Sequence, residues 1–152
     1  MTTTSLLVLN GPNLGRLGSR QPDVYGSMDF TAMSARIRDF AAQRGFSADV
    51  RQTDDESELI GWLHEAVDAR VDVILNPAAF THYSYALHDA AVLVPDAGLM
   101  LVEVHITNPQ AREQFRHTSV ISSVASGVIM GFGVNSYLLA VEAIAAVRTP
   151  TR

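Results

Sequence analysis

Five short apolar runs, alternating with stretches of helical spacing, constrain this chain more than any other feature of its sequence. The runs lie at Leu6 to Leu9, Ala48 to Arg51, Val71 to Leu75, Leu99 to Val104 and Gly127 to Met130. Their β-branched and leucine-rich content reads as strand. Between the first two, Phe30, Met33, Ile37, Phe40 and Ala41 recur at the intervals of an amphipathic helix, and Gly45 is placed to end it. Leu59, Ile60, Leu63 and Val67 repeat the pattern. A third helix is expected from about Ser84 to Val92 and a fourth from about Asn135 to Val147, where YLLAVEAIAAV is apolar enough to be buried. Strands alternating with helices in this way are what a parallel sheet covered on both faces requires.

Right-handed crossovers through such a chain give an α/β fold, a doubly wound five-stranded parallel sheet of flavodoxin-like order with helices on both faces. The chain's 152 residues suit one domain, residues 1–152, with the terminal RTPTR expected to fray from about residue 148. Ligands of these sheets bind outside the carboxyl ends of the strands. Three segments leave those ends: Asn10 to Gly26, Asn76 to Tyr83 and His105 to His117. They hold nearly every side chain of chemical interest.

Composition removes whole classes of chemistry. The absence of cysteine excludes disulfides, thiolate nucleophiles and thiol-bound zinc or iron-sulfur clusters. All 11 basic residues are arginine, so neither a lysine Schiff base nor a phosphate-loop lysine is available. A formal charge of -5 without a clustered basic run argues against nucleic acid as a partner. The start MTTTSLLVLNGPN has no basic region and too short an apolar run for a signal peptide, and no stretch is long and apolar enough for a membrane helix. A cytoplasmic protein is the expectation.

The segment NGPNLGRLGSRQPDVYG is long for a strand-to-helix connection and offers Asn13, Arg16, Arg20 and Tyr25. Its glycines do not have dinucleotide-loop spacing. An arginine five residues before a tyrosine can favour phenolate, since a nearby cation stabilises the charged form. Lowering a tyrosine from about 10 to about 8 needs roughly 2.7 kcal/mol of such interaction. The plain alternative is a surface loop whose arginines are solvated and whose tyrosine packs.

The segment NPAAFTHYS brings Asn76, His82 and Ser84, the last of which would equally serve as a helix cap, and Asp89 follows about two turns into the helix. In EVHITNPQAREQFRH, Glu103 and His105 are two apart on a strand and so share a face, where the carboxylate orients the imidazole and favours its protonated form. A structural ion pair is the competing reading. Arg112 and Arg116, four apart, would share one face of a short helix. No zinc-binding spacing and no G-x-S-x-G elbow is present, so neither a metal site nor a serine hydrolase is expected. The residues by themselves point to acid-base chemistry on a small anion, the elimination of water.

In order, spacing and content, NGPNLGRLGSRQPDVYG, NPAAFTHYS, EVHITNPQAREQFRHTS and GVIMGFGVNSYLLAVEA resemble the type II 3-dehydroquinate dehydratases over nearly the whole chain. The resemblance implies a metal-free, cofactor-free hydro-lyase converting 3-dehydroquinate to 3-dehydroshikimate through an enolate, in the shikimate pathway of aromatic amino-acid biosynthesis. It implies that Tyr25 takes the proton alpha to the ketone, with Arg20 favouring its phenolate and Arg112 assisting. His105, oriented by Glu103, would protonate the leaving hydroxyl, and Asn13 would help hold a water near the enolate oxygen. Asn76, His82, Asp89 and Arg116 would contact substrate hydroxyls, and the backbone of Ile106 and Thr107 would receive the carboxylate. It further implies a homo-oligomer, a dodecamer built from trimers. Ala78, Thr107, Pro109 and Val134-Asn135-Ser136 depart from the residues usual in the family, and the stretch from Pro95 to Met100 looks longer than usual. None of these removes a proposed catalytic side chain.

A rival class, a flavodoxin-like binding or signalling module, would want an acidic cluster after the first strand and a lysine after the fifth, or would purify yellow with flavin. The chain has Asn10 and Asn13 after the first strand and no lysine. A non-catalytic oligomer that kept the fold would be exposed by absence of turnover.

Overall fold

The computed structural model describes residues 3–19, 23 and 28–149. Five strands form one parallel sheet: β1 (Thr4–Asn10), β2 (Phe46–Gln52), β3 (Asp72–Asn76), β4 (Leu101–His105) and β5 (Gly127–Met130), in the order β2-β1-β3-β4-β5. Four α-helices among the described residues cover it: α1 (Phe30–Gln43), α2 (Glu56–Ala69), α3 (Tyr85–Asp96) and α4 (Asn135–Arg148). This is the flavodoxin-like arrangement expected from the alternation.

The period-two alternation of side chains splits the core into two layers. Leu6 and Val8 of β1 pack with Met33 and Ile37 of α1 and with Tyr137 and Ile144 of α4. Leu7 and Leu9, one residue out of phase, face the other way onto Leu59 and Leu63 of α2 and Leu87 of α3. Strand β3 is buried along its whole length, as a strand covered on both faces must be. Each fully buried leucine contributes roughly 1.5–3 kcal/mol relative to exposure.

Caps fix where the helices begin. Asp29 accepts the N–H of Ala32 at the start of α1, Asp55 that of Ser57 at α2, and Ser84 that of Leu87 at α3. Gly45, at φ 84, ends α1 in the left-handed region where glycine is favoured. Helix α3 runs four residues past its expected end at Val92, to Asp96, and so takes in Pro95. Pro95 lies in the last turn, where its missing N–H removes one hydrogen bond close to the helix end. Arg148, near where fraying was expected to begin, is helical and donates from Nε and Nη2 to Asp72 Oδ2 and Oδ1 at 2.8 and 2.6 Å. Residues 150–152 lie outside the described residues.

Candidate active site

A cavity opens at the carboxyl ends of β1, β3 and β4, lined by Asn13, Asn76, His82, His105 and both Arg112 and Arg116, with the backbone segment Ile106 and Thr107 along one wall. Ala78 and Pro109, two of the departures from the usual family residues, line it as well. Adjacent strands pair Asn10 with Asn76 in register, so two amides sit side by side where β1 and β3 end. Gly11 is required just beyond, because a Cβ there would come within 2.6 Å of the Pro77 carbonyl oxygen.

Strand β4 places a buried carboxylate beside an imidazole. Glu103 and His105 share a face as their spacing dictates, and His105 Nε2 donates to Glu103 Oε2 at 2.6 Å. Glu103 is 0% exposed. Burial pushes its carboxyl up, but the hydrogen bond and charge of His105, with further hydrogen bonds from Ser122 and Thr81, outweigh it and hold Glu103 below the ordinary carboxylate range. The hydroxyl of Thr81 donates to Oε2 at 2.6 Å and that of Ser122 to Oε1 at 2.5 Å. The carboxylate is therefore charged and accepts the imidazole N–H.

His82, from the 3₁₀ turn Ala78–His82, donates from Nδ1 to the Thr118 carbonyl at 2.8 Å. Burial pushes its pKa down against that hydrogen bond, and the charge of Arg116 lowers it further. A neutral His82 with its hydrogen on Nδ1 leaves Nε2 as an acceptor. Asn76 is fixed by two partners. Its Oδ1 accepts the Ala78 N–H at 3.0 Å, and its Nδ2 donates at 2.8 Å to the hydroxyl of Tyr137, which itself donates to Asn10 Oδ1 at 2.6 Å. Tyr137 is fully buried, and burial pushes its phenol well above the ordinary value, so this tyrosine is a neutral relay and not a base.

The segment after His105 differs from its expected form. Arg112 and Arg116 do not share a helix: Asn108 caps a 3₁₀ turn at Pro109–Ala111, Arg112 is extended at φ -118, and a second 3₁₀ turn begins at Gln114. Pro109 fixes the first turn at its start, and the extended backbone at Arg112 breaks helical continuity. Both arginines nevertheless reach the same cavity. Arg112 Nη1 donates to Thr107 Oγ1 at 3.3 Å, while Arg116 pairs with Glu113.

Asn13 is exposed at the cavity edge in the left-handed region, φ 72, with its backbone N–H donated to Asp54 Oδ1 at 2.8 Å. Asp89 stands apart: it is exposed on α3, one turn in rather than two, and does not line the cavity. Ser84 is the cap of α3 and donates to Glu56. Arg20 and Tyr25 lie outside the described residues.

Sequence reading missed Thr81, Ser119, Ser122 and Tyr137. The first three are ordinary hydroxyl residues, and only the pairing of distant loops sets Thr81 and Ser122 on Glu103 with Ser119 behind them. Tyr137 left a signal, a single phenol in an otherwise aliphatic buried helix, which must find a hydrogen-bonding partner. Among the described residues no three histidine or acidic side chains gather as a metal site, and no helix is long and apolar enough to cross a membrane.

A flavodoxin-like sheet that sets a buried Glu103 carboxylate on His105 and two arginines around one rim cavity has the layout of an enzyme that acts on a small molecule. The chain belongs to the class II dehydroquinase family, whose model matches residues 4–145. It is similar to the 3-dehydroquinate dehydratases of Salinispora tropica, at 52% identity over 91% of this chain and 95% of that one, and of Salinispora arenicola, at 54% over the same shares. Among solved structures, the type II dehydroquinase from Propionibacterium acnes superposes with a TM-score of 0.91 at 44% identity, covering 95% of this chain and 98% of that one.

Proposed function

We propose that this chain is a hydro-lyase that dehydrates 3-dehydroquinate to 3-dehydroshikimate in aromatic biosynthesis. The observation that carries the proposal is the buried, charged Glu103 hydrogen-bonded to His105 at the edge of a cavity that Arg112 and Arg116 also line.

In this reading Tyr25 takes the proton alpha to the ketone, its phenolate favoured by Arg20 with help from Arg112. The negative charge moves to the ketone oxygen as an enolate, near a water that Asn13 helps to hold. Collapse of the enolate expels the hydroxyl beta to the ketone, and His105 gives that oxygen a proton so that it leaves as water. The proton on Tyr25 returns to solvent and His105 is reprotonated. The backbone of Ile106 and Thr107 receives the substrate carboxylate, with Asn76, His82 and Arg116 on its hydroxyls.

Asp89, exposed on α3 and away from this cavity, fits the reading only as a contact made to substrate in a neighbouring copy. That agrees with a homo-oligomer, a dodecamer of trimers, whose mass in solution would be twelve times that of the chain. A cytoplasmic location and a mechanism without metal or cofactor complete the reading.

Purified protein mixed with 3-dehydroquinate should produce the ultraviolet absorbance of a conjugated enone, undiminished by chelator. Tyr25→Phe should abolish that signal while leaving assembly intact. An intact assembly without turnover would overturn the proposal.

A further inference from the structure

We propose that Ser122, Thr81 and Ser119 are positioning residues for the acid step: their hydroxyls fix Glu103 as a carboxylate and fix His105 with a hydrogen on Nε2, leaving Nδ1 to serve the substrate. The inference rests on His105 being the acid of the proposed reaction.

It follows from counting hydrogens. Each hydroxyl has one hydrogen to give and two lone pairs with which to accept. Ser119 Oγ accepts the backbone N–H of Ile121 at 3.1 Å and of Ser122 at 2.9 Å, so both of its lone pairs are taken. Its own hydrogen is then left for Thr81 Oγ1 at 3.0 Å, a contact in which either oxygen can donate. Thr81 therefore keeps its own hydrogen for Glu103, and Ser122 Oγ, placed to donate to Ser119 at 2.9 Å as well, gives its hydrogen to the charged carboxylate at the shorter 2.5 Å. Both turn forward onto the carboxylate, Thr81 to Oε2 and Ser122 to Oε1.

The consequence reaches the imidazole. Oε1 has a hydroxyl hydrogen aimed at it, and Oε2 has one as well as its hydrogen bond with His105 Nε2. A protonated carboxyl would set its hydrogen against a donor already in place, so the arrangement requires a charged Glu103. A charged Glu103 only accepts, and His105 Nε2 must carry the hydrogen between them. The other ring nitrogen, Nδ1, is the one left to protonate a departing hydroxyl at the cavity that His105 lines.

The hydroxyls are held from outside β4. Thr81 comes from the turn after β3, and Ser119 and Ser122 from the loop before β5. The two are joined where the Val120 N–H donates to the Thr81 carbonyl at 2.7 Å and anchored by the fully buried Ile121. Ser119 touches neither Glu103 nor His105 in this network, yet it holds the Thr81 hydroxyl that does reach the carboxylate.

The test is ring ¹⁵N spectroscopy of His105 in unliganded protein, at a pH where the ring is neutral, together with steady-state kinetics. Wild type should show the Nε2–H tautomer alone. Ser122→Ala and Thr81→Val should each admit the Nδ1–H tautomer and lower kcat by about tenfold, the loss of one charge-assisted hydrogen bond, with KM within about twofold. Ser122→Thr, which keeps the hydroxyl, should restore both readouts. Should Ser122→Ala fail to fold, Thr81→Val, which is close to isosteric, carries the same expectation. An unchanged tautomer, or a loss confined to KM, would overturn the inference. Failure of wild type to turn over 3-dehydroquinate would instead remove the functional reading, while the tautomer spectrum would still judge the hydroxyl arrangement.

Discussion

Among the described residues two carboxylates are buried, one at each rim of the sheet, and they differ in the partner each is given. Asp72, at the amino end of β3, is 6% exposed and meets the guanidinium of Arg148 through two hydrogen bonds and the Met100 N–H through a third. Glu103, near the carboxyl end of β4, meets an imidazole and two hydroxyls. Arginine does not give up its proton in a protein; histidine does. The same solution to burying a charge therefore fixes the proton at one rim and, in the proposed reaction, lets it move at the other.

Removing each partner breaks the comparison in opposite ways. The largest effect is expected from His105→Ala, which should cost turnover about 10²- to 10⁴-fold, the range of a lost general acid, while far-ultraviolet dichroism and assembly stay unchanged. A variant that retained most of its turnover would make the Glu103 pair as structural as the Asp72 one.

Arg148→Met should do the reverse. It leaves Asp72 buried without its cation and should destabilise the fold by about 1–2 kcal/mol in chemical denaturation, with kcat intact. That figure is discounted because the Arg148 side chain is 40% exposed.

The pH dependence of that cost sharpens the contrast. Burial pushes the Asp72 carboxyl up, but the hydrogen bonds of Arg148 and Met100 outweigh it and hold the group below the ordinary value of 3.8. A carboxyl lowered on folding stabilises fully above its unfolded value, and that stabilisation is lost as pH falls through the folded value. The gap between wild type and Arg148→Met should thus be complete at neutral pH and close below about pH 4. A gap that persisted in acid would mean that packing of the arginine stem, and not charge, holds the helix end.

The smallest effect is expected at Ala78, which sits on the cavity wall at φ 52. A left-handed alanine costs roughly 1–2 kcal/mol, but glycine gives back about half of that as flexibility in the unfolded chain. Ala78→Gly should therefore raise stability by under about 1 kcal/mol, and a loss of stability would show that the Cβ packs usefully.

What could be read from the sequence divides along the same line. The sheet was legible because five apolar runs and their helices repeat locally, and Glu103 with His105 because a spacing of two on a strand has one geometric meaning. The shared helix for Arg112 and Arg116 was a misreading of local spacing, overridden by Pro109 and an extended backbone at Arg112. The pairing of Arg148 with Asp72, 76 positions away, has no local signature. Nor has the bond from Asn76 to Tyr137, 61 positions on. Local pattern reports periodicity, whereas the polar partners of a buried group come from wherever the topology brings the chain back.

Helix α4 holds on to both rims at once. Near its start Tyr137 reaches the amides where β1 and β3 end, and at its last residue Arg148 grips Asp72 where β3 begins. The interval between the two anchors is close to three full turns, so both fall on one side of the cylinder. The helix behaves as a keyed rod: substitutions along its outer side leave both catches engaged, but one residue inserted or deleted between them would swing one anchor about 100° out of line. Evolution of this segment should therefore proceed by replacement and hardly ever by change of length.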